Sequence, residues 1–213
     1  MSRFSSLFLS LSILVLLSGC SNQSGLSLSS SNTRTNSAVA KEHILGAGTL
    51  TFVEFADTEC PYSKEYHLML EAFMPEFEGK IRWQYKHFPL NQHMKKATLE
   101  AEALECAGEQ EKFWQYTHAL FARTPSNNQL PETDLFILAK ELNLDEEQFN
   151  TCIASATYNE QVKNHLKQAQ AQGANGTPFS LLVDEQGNVL ETFDGLYFEE
   201  ELREIFVKHL QNE

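Results

Sequence analysis

The amino-acid sequence predicts an α/β fold in which a βαβ unit and a ββα unit flank a block of helices. Three observations predict it. Leu50–Ala56, reading LTFVEFA, is rich in β-branched and aromatic residues and almost continuously apolar, as suits a buried central strand. From Lys95 to Gln172 the apolar residues recur at helical spacing and no alternating pattern appears. After Gly173 and Gly176 the pattern returns to that of a sheet.

Each element follows in order. Pro61 opens a helix after the first strand, because its missing N–H falls where a helix leaves donors unpaired, and Leu68, Leu70, Phe73 and Phe77 supply its apolar positions before Gly79 stops it. Ile81–Phe88 alternates Ile81, Trp83 and Tyr85 against Arg82, Gln84 and Lys86, a second strand. Three or four helical stretches follow: one rich in Ala and Leu up to Ala107, one through Phe113, Trp114 and Phe121, and one over Leu135–Leu142. Asp145 with Gln148 three residues on resembles a capping box opening a helix through Phe149, Cys152 and Ile153. Phe179–Asp184 and Val189–Phe193, joined by Glu185–Asn188, form a hairpin, and Phe198–Leu210 closes the chain as an amphipathic helix.

The chain has 213 residues, 42% of them hydrophobic and 21% charged, enough for one globular domain with a sizeable core. Sixteen Lys and Arg against 29 Asp and Glu give a net charge of -13, the wrong sign for a protein that neutralises phosphates, so no nucleic-acid partner is expected. The seven histidines show no His-x-x-x-His spacing, and no P-loop, dinucleotide fingerprint or Gly-x-Ser-x-Gly elbow occurs. No metal and no cofactor are expected.

The N-terminus reads as a targeting segment. Arg3 is the only charge before Arg34, and it precedes the apolar run Leu7–Leu17, roughly half the ~20 residues a spanning helix needs. Leu17-Ser18-Gly19-Cys20 resembles the bacterial lipobox, which implies a signal peptide over 1–19 and lipidation of Cys20. Ser21 after the lipidated position implies, in an enteric-type host, an outer-membrane anchor facing the periplasm. Ser21–Ser37 holds seven Ser, three Asn and two Thr with one charge, the composition of a flexible tether. The tether spans 20–39 and the folded body 40–213, with the helical block over about 93–172.

Against this frame several motifs become specific. Glu54-Phe-Ala-Asp-Thr-Glu-Cys-Pro-Tyr-Ser63, His87-Phe-Pro-Leu90, Cys106–Trp114 and Gly176-Thr-Pro178 resemble the DsbA-like thiol-disulfide oxidoreductases, whose fold is the thioredoxin fold with a helical insertion. The resemblance runs from about Ile44 to the C-terminus. It implies that Cys60 is the reactive thiol and that Thr177-Pro178 is a cis-proline loop offering a backbone edge to an extended substrate. It further implies that Glu54 is a buried carboxylate carrying protons, although a solvated Glu at a sheet edge fits the pattern equally. Tyr62 and Phe179 are candidates for an apolar rim.

Elementary chemistry supports the cysteine. A sulfur at a helix N-terminus meets unpaired N–H groups and a partial positive charge, which favour the nucleophilic thiolate, while the adjacent Glu59 opposes it. Where the family carries Cys-x-x-Cys, this chain has Cys60-Pro-Tyr-Ser63. A hydroxyl can hydrogen-bond a thiolate but cannot attack a disulfide sulfur, so Ser63 excludes an internal bridge and leaves monothiol exchange with protein or small-molecule thiols and disulfides. A binding module or chaperone that has lost redox function is the alternative. A membrane redox partner is among the partners the resemblance implies. With Cys20 lipidated, three cysteines remain. Cys106 and Cys152 each share an inward helix face, so they pair, closing a loop of roughly 46 residues worth about 4 kcal/mol in the chain-entropy model. The competing reading makes one of them a resolving partner for Cys60.

Overall fold

The computed structural model describes residues 41–211. The signal segment 1–19 and all of the tether over 20–39, Cys20 included, lie outside the described residues, as does Ala40. The elements run β1 (His43–Leu45), β2 (Leu50–Ala56), α1 (Pro61–Phe73), β3 (Ile81–His87), α2 (Met94–Glu109), α3 (Phe113–Arg123), α4 (Thr133–Glu141), α5 (Glu146–Ser155), α6 (Asn159–Ala171), β4 (Phe179–Val183), β5 (Val189–Asp194) and α7 (Glu199–Leu210). They form one five-stranded sheet of order β1-β3-β2-β4-β5.

β2 sits centrally, parallel to β3 and antiparallel to β4, and all seven of its residues are buried. Its continuous apolarity is therefore explained by helices on both faces of the sheet. On one face Phe52, Leu182 and Phe193 pack with Tyr66, Leu70 and Phe73 of α1 and Phe206 of α7. On the other, Val53, Phe55, Phe179 and Leu181 meet Ala169 of α6. β3 alternates buried and half-buried residues along its length, as its period-two sequence requires. The helical block has its own core around Leu104, Tyr116, Phe121 and Phe149.

The structure departs from the sequence reading in four places. First, β1 is an edge strand that no pattern announced: three residues are too few for a period, and its pairing of His43 with Tyr85 is fixed from outside the segment. Second, the first helix ends at Phe73 rather than running toward Gly79. Pro75 lacks the N–H to continue it, and the chain tightens into a 3-10 turn over Met74–Phe77 before Gly79 turns at φ 76°. Third, the block holds five helices, α6 being the one not separately read.

Fourth, the capping box at Asp145 is half made. Its carboxylate accepts from the Gln148 N–H at 2.9 Å, but the Gln148 side chain reaches Glu109, and the Asp145 N–H is taken by Gln110. A tertiary partner has replaced the local one. Among the glycines, Gly48 has a packing reason, since a Cβ there would lie 2.2 Å from the Lys80 carbonyl.

Candidate active site around Cys60

Cys60 is the N-cap residue of α1, with extended backbone (φ −83°, ψ 121°), and Pro61 occupies the first turn. The placement follows from the sequence: the chain leaves β2 through a tight turn closed by Cys60 N donating to Asp57 O at 3.0 Å, and Lys64 N donates to Cys60 O to start the helix. The Cys60 thiol donates to the Thr177 carbonyl oxygen at 3.4 Å. The Thr177–Pro178 peptide bond is cis. The sulfur is the free cysteine among the described residues, and the residue is only 4% exposed, while Tyr62 beside it is 64% exposed.

Ser63 is fully buried, and its Oγ accepts from the Asp57 N–H at 3.3 Å. The hydroxyl thus serves the turn before the helix, where the sequence reading had offered it to Cys60. Phe179 is a core residue, 1% exposed and packed 6.0 Å from the Phe55 ring, and is not part of a rim. Cys106 and Cys152 are bonded to each other, joining α2 to α5.

Glu54 is fully buried and not at a solvated edge. Its carboxylate accepts from His67 Nδ1 at 3.0 Å and from Trp83 Nε1 at 3.1 Å. His67 Nε2 in turn lies 3.0 Å from His118 Nδ1, so a hydrogen-bonded chain leads from the sheet toward the half-buried α3 imidazole. Burial, then the charge of His67, holds His118 down at about 4, so it is neutral at physiological pH.

Sequence reasoning missed the carboxylates that organise the loops at this end of the sheet. Asp57 accepts from the Glu59 N–H at 2.7 Å, the Leu90 N–H at 2.8 Å and His93 Nδ1 at 3.0 Å, tying the turn before Cys60 to the loop after β3. Burial raises its pKa, against those bonds. Glu59 and Glu100 are buried behind the turn. Apart from the Glu59 N–H, the partners of these three carboxylates lie 33 to 69 residues away, so no local pattern could have revealed them. A cavity of about 570 Å³ between α2, α5 and α6 is lined by Leu99, Ile153 and Leu166 and does not include Cys60.

A helix-terminal cysteine hydrogen-bonded to a cis-proline loop, on a sheet with an inserted helical block, defines a thioredoxin-fold protein. The family model described as Thioredoxin matches residues 41–196, and the chain belongs to that family. Among solved structures it is similar to a thioredoxin-like oxidoreductase from Silicibacter pomeroyi DSS-3 (TM-score 0.68, 24% identity, 81% of this chain and 93% of that one). It is also similar to Pseudomonas aeruginosa DsbA2 (TM-score 0.64, 24% identity, 78% and 93%) and to Wolbachia pipientis α-DsbA1 (TM-score 0.69, 20% identity, 80% and 92%). These likenesses establish the fold.

Among curated proteins the chain resembles the Na(+)/H(+) antiporters NhaA 3 of Salinispora tropica (29% identity over 65% of this chain) and NhaA of Herminiimonas arsenicoxydans (32% over 64%). The match spans only 21% of either antiporter's length. No described helix is long and apolar enough to cross a membrane.

Proposed function

We propose that the protein is a thiol-disulfide exchange protein of DsbA-like type that acts through Cys60 alone, held at the cell envelope by a lipid on Cys20. The observation that carries the reading is Cys60 at the N-terminus of α1, within hydrogen-bonding distance of the Thr177 carbonyl and with Ser63 in place of a second cysteine. The helix terminus favours the thiolate. The thiolate attacks one sulfur of a disulfide: the new bond to Sγ forms as the old S–S bond breaks, and the departing thiolate takes from solvent a proton equivalent to the one Cys60 released. Ser63 offers no sulfur to displace the product, so an outside thiol must attack the mixed disulfide. Thr177, Pro178 and the exposed Tyr62 ring would line the groove for an extended chain.

The test is incubation with oxidised glutathione at neutral pH and mapping of adducts by mass spectrometry. A glutathione adduct on Cys60 is expected; an unmodified Cys60 removes the exchange reaction.

The 4% exposure of Cys60 favours a second reading, a polypeptide-binding module that keeps the groove without redox turnover. It requires Cys60→Ala to bind client peptide unchanged, whereas exchange requires loss of the covalent intermediate. The lipid on Cys20, which would hold the tether over 20–39 to the outer membrane facing the periplasm after removal of 1–19, is checked by labelling with a fatty acid and by loss of the label in Cys20→Ala.

A further inference from the structure

Glu59, the residue immediately before Cys60, is fully buried, and Glu100 of α2 is 1% exposed. Each carboxyl group has one oxygen supplied with a donor. Glu59 Oε2 accepts from the Asn128 N–H, and Glu100 Oε2 accepts from Thr58 Oγ1. The other oxygen of each, Oε1, is buried with no N–H or O–H donor of another residue. The two side chains are in hydrogen-bonding contact with each other. Two carboxyl groups in contact, each with a buried oxygen that lacks a donor, can be satisfied by a single shared proton.

The backbone around Glu59 is pinned from the helical block. Ser126, Asn127 and Asn128 all adopt left-handed φ values of 67°, 57° and 62°, a conformation uncommon outside glycine, although Asn tolerates it best. Glu59 holds the last two: its carbonyl accepts from the Asn127 N–H at 2.8 Å, next to the Asn128 bond to its carboxylate, while the Ser126 N–H is taken by Thr124 Oγ1.

We propose that Glu100 is a positioning residue for Cys60: as a neutral acid it donates a hydrogen bond to Glu59 Oε1, and the pair fixes the backbone that carries the thiol. The inference rests on Cys60 being the reactive group. It also accounts for an acid next to a nucleophilic sulfur, because sharing a proton confines the pair to one negative charge, turned into the helical block. Burial first, and then the Glu59 carboxyl, push Glu100 up to about 9, against the Thr58 hydroxyl and the Lys96 charge. Tyr85 of β3 and Tyr116 of α3 also lie within electrostatic reach of Glu100, and burial keeps both phenols protonated.

The sign is testable. A folded chain that keeps a proton up to about 9, which an ordinary carboxylate releases near 4.5, loses stability as pH rises through that interval. Urea unfolding of the full chain between pH 6 and 8 is compared with that of Glu100→Gln, whose amide donates without titrating. The ratio of the wild-type folding constant to that of the variant is expected to fall about tenfold per pH unit. Iodoacetamide alkylation of Cys60 at pH 7 is expected to slow about tenfold in Glu100→Ala and to recover in Glu100→Gln.

Parallel pH dependences overturn the proposal, as does a folded Glu100→Ala that alkylates at the wild-type rate. Should Glu100→Ala fail to fold, the Glu100→Gln slope decides alone. That slope reads the shared proton without turnover, so its failure is distinguishable from failure of the exchange reaction.

Discussion

The Cys60 thiol and the Thr177 carbonyl, 117 residues apart in the chain, meet at 3.4 Å across the end of the sheet. The contact joins the βαβ half to the ββα half, and in the exchange reading it places the nucleophile beside the backbone edge that would pair with a substrate. The register of β2 with β4, Phe55 opposite Phe179, sets the meeting, because Pro178 immediately precedes β4.

If Ser63 is what blocks dithiol cycling, Ser63→Cys should convert the site. The position is one turn into α1 from Cys60 and is buried. The variant is expected to reduce insulin about tenfold faster than the wild type and to form a bridge between residues 60 and 63. Turbidity with dithiothreitol and mapping of the oxidised protein check it; no gain shows that more than one sulfur separates this site from a dithiol enzyme.

The bridge between Cys106 and Cys152 closes a separation of 46 residues, joining two helices of the block. Replacing both by Ala should cost about 4 kcal/mol in urea unfolding by the chain-entropy model. Glutathione modification of Cys60 should persist, because neither sulfur takes part in its chemistry.

Glu54 is the acceptor for two buried donors, His67 Nδ1 and Trp83 Nε1. Glu54→Leu strands both and is expected to destabilise the fold by about 3 kcal/mol. The emission of Trp83 should shift with it. A tryptophan spectrum identical to the wild type would show that the indole N–H does not depend on this carboxylate.

Acid should weaken the fold through α2, α3 and α6. Glu105 is fully enclosed; burial works to raise it, but hydrogen bonds from His43 and His87 prevail and hold it at about 2, against an ordinary value of 4.5. Its folded value is lowered, so its contribution is present above about 4.5 and is lost as pH falls from there toward 2. His118 at about 4 and His165 at about 3 are held down chiefly by burial, so the unfolded chain binds their protons first and stability drops below 6.5. With the opposing Glu100 titration removed in Glu100→Gln, urea midpoints should decline from pH 6.5 to 3, and adding Glu105→Gln should flatten the portion below about 4.5.

Much of the architecture was legible because it is written in local periods. The unbroken apolarity of LTFVEFA marks a strand covered on both faces, and the alternation after Ile81 marks one with unequal faces. Cys60 stood out because a proline in a first helical turn fixes where the helix begins, and hence which residue caps it. β1 and the split of α1 from its 3-10 turn were less legible, the first for shortness and the second because apolar spacing continued through Pro75.

By itself the sequence determined a βαβ unit and a ββα unit around a helical block, the cysteine at a helix start, and the absence of a second sulfur at residue 63, since each depends only on residue type and spacing along a few turns. Only the tertiary structure decided which side chains answer which. Glu59 with Asn128, Glu54 with Trp83 and Glu105 with its two imidazoles are pairs made across the sheet and the helical block. A buried carboxylate must find a donor wherever packing supplies one, and that partner is set by the fold and not by the neighbouring residues.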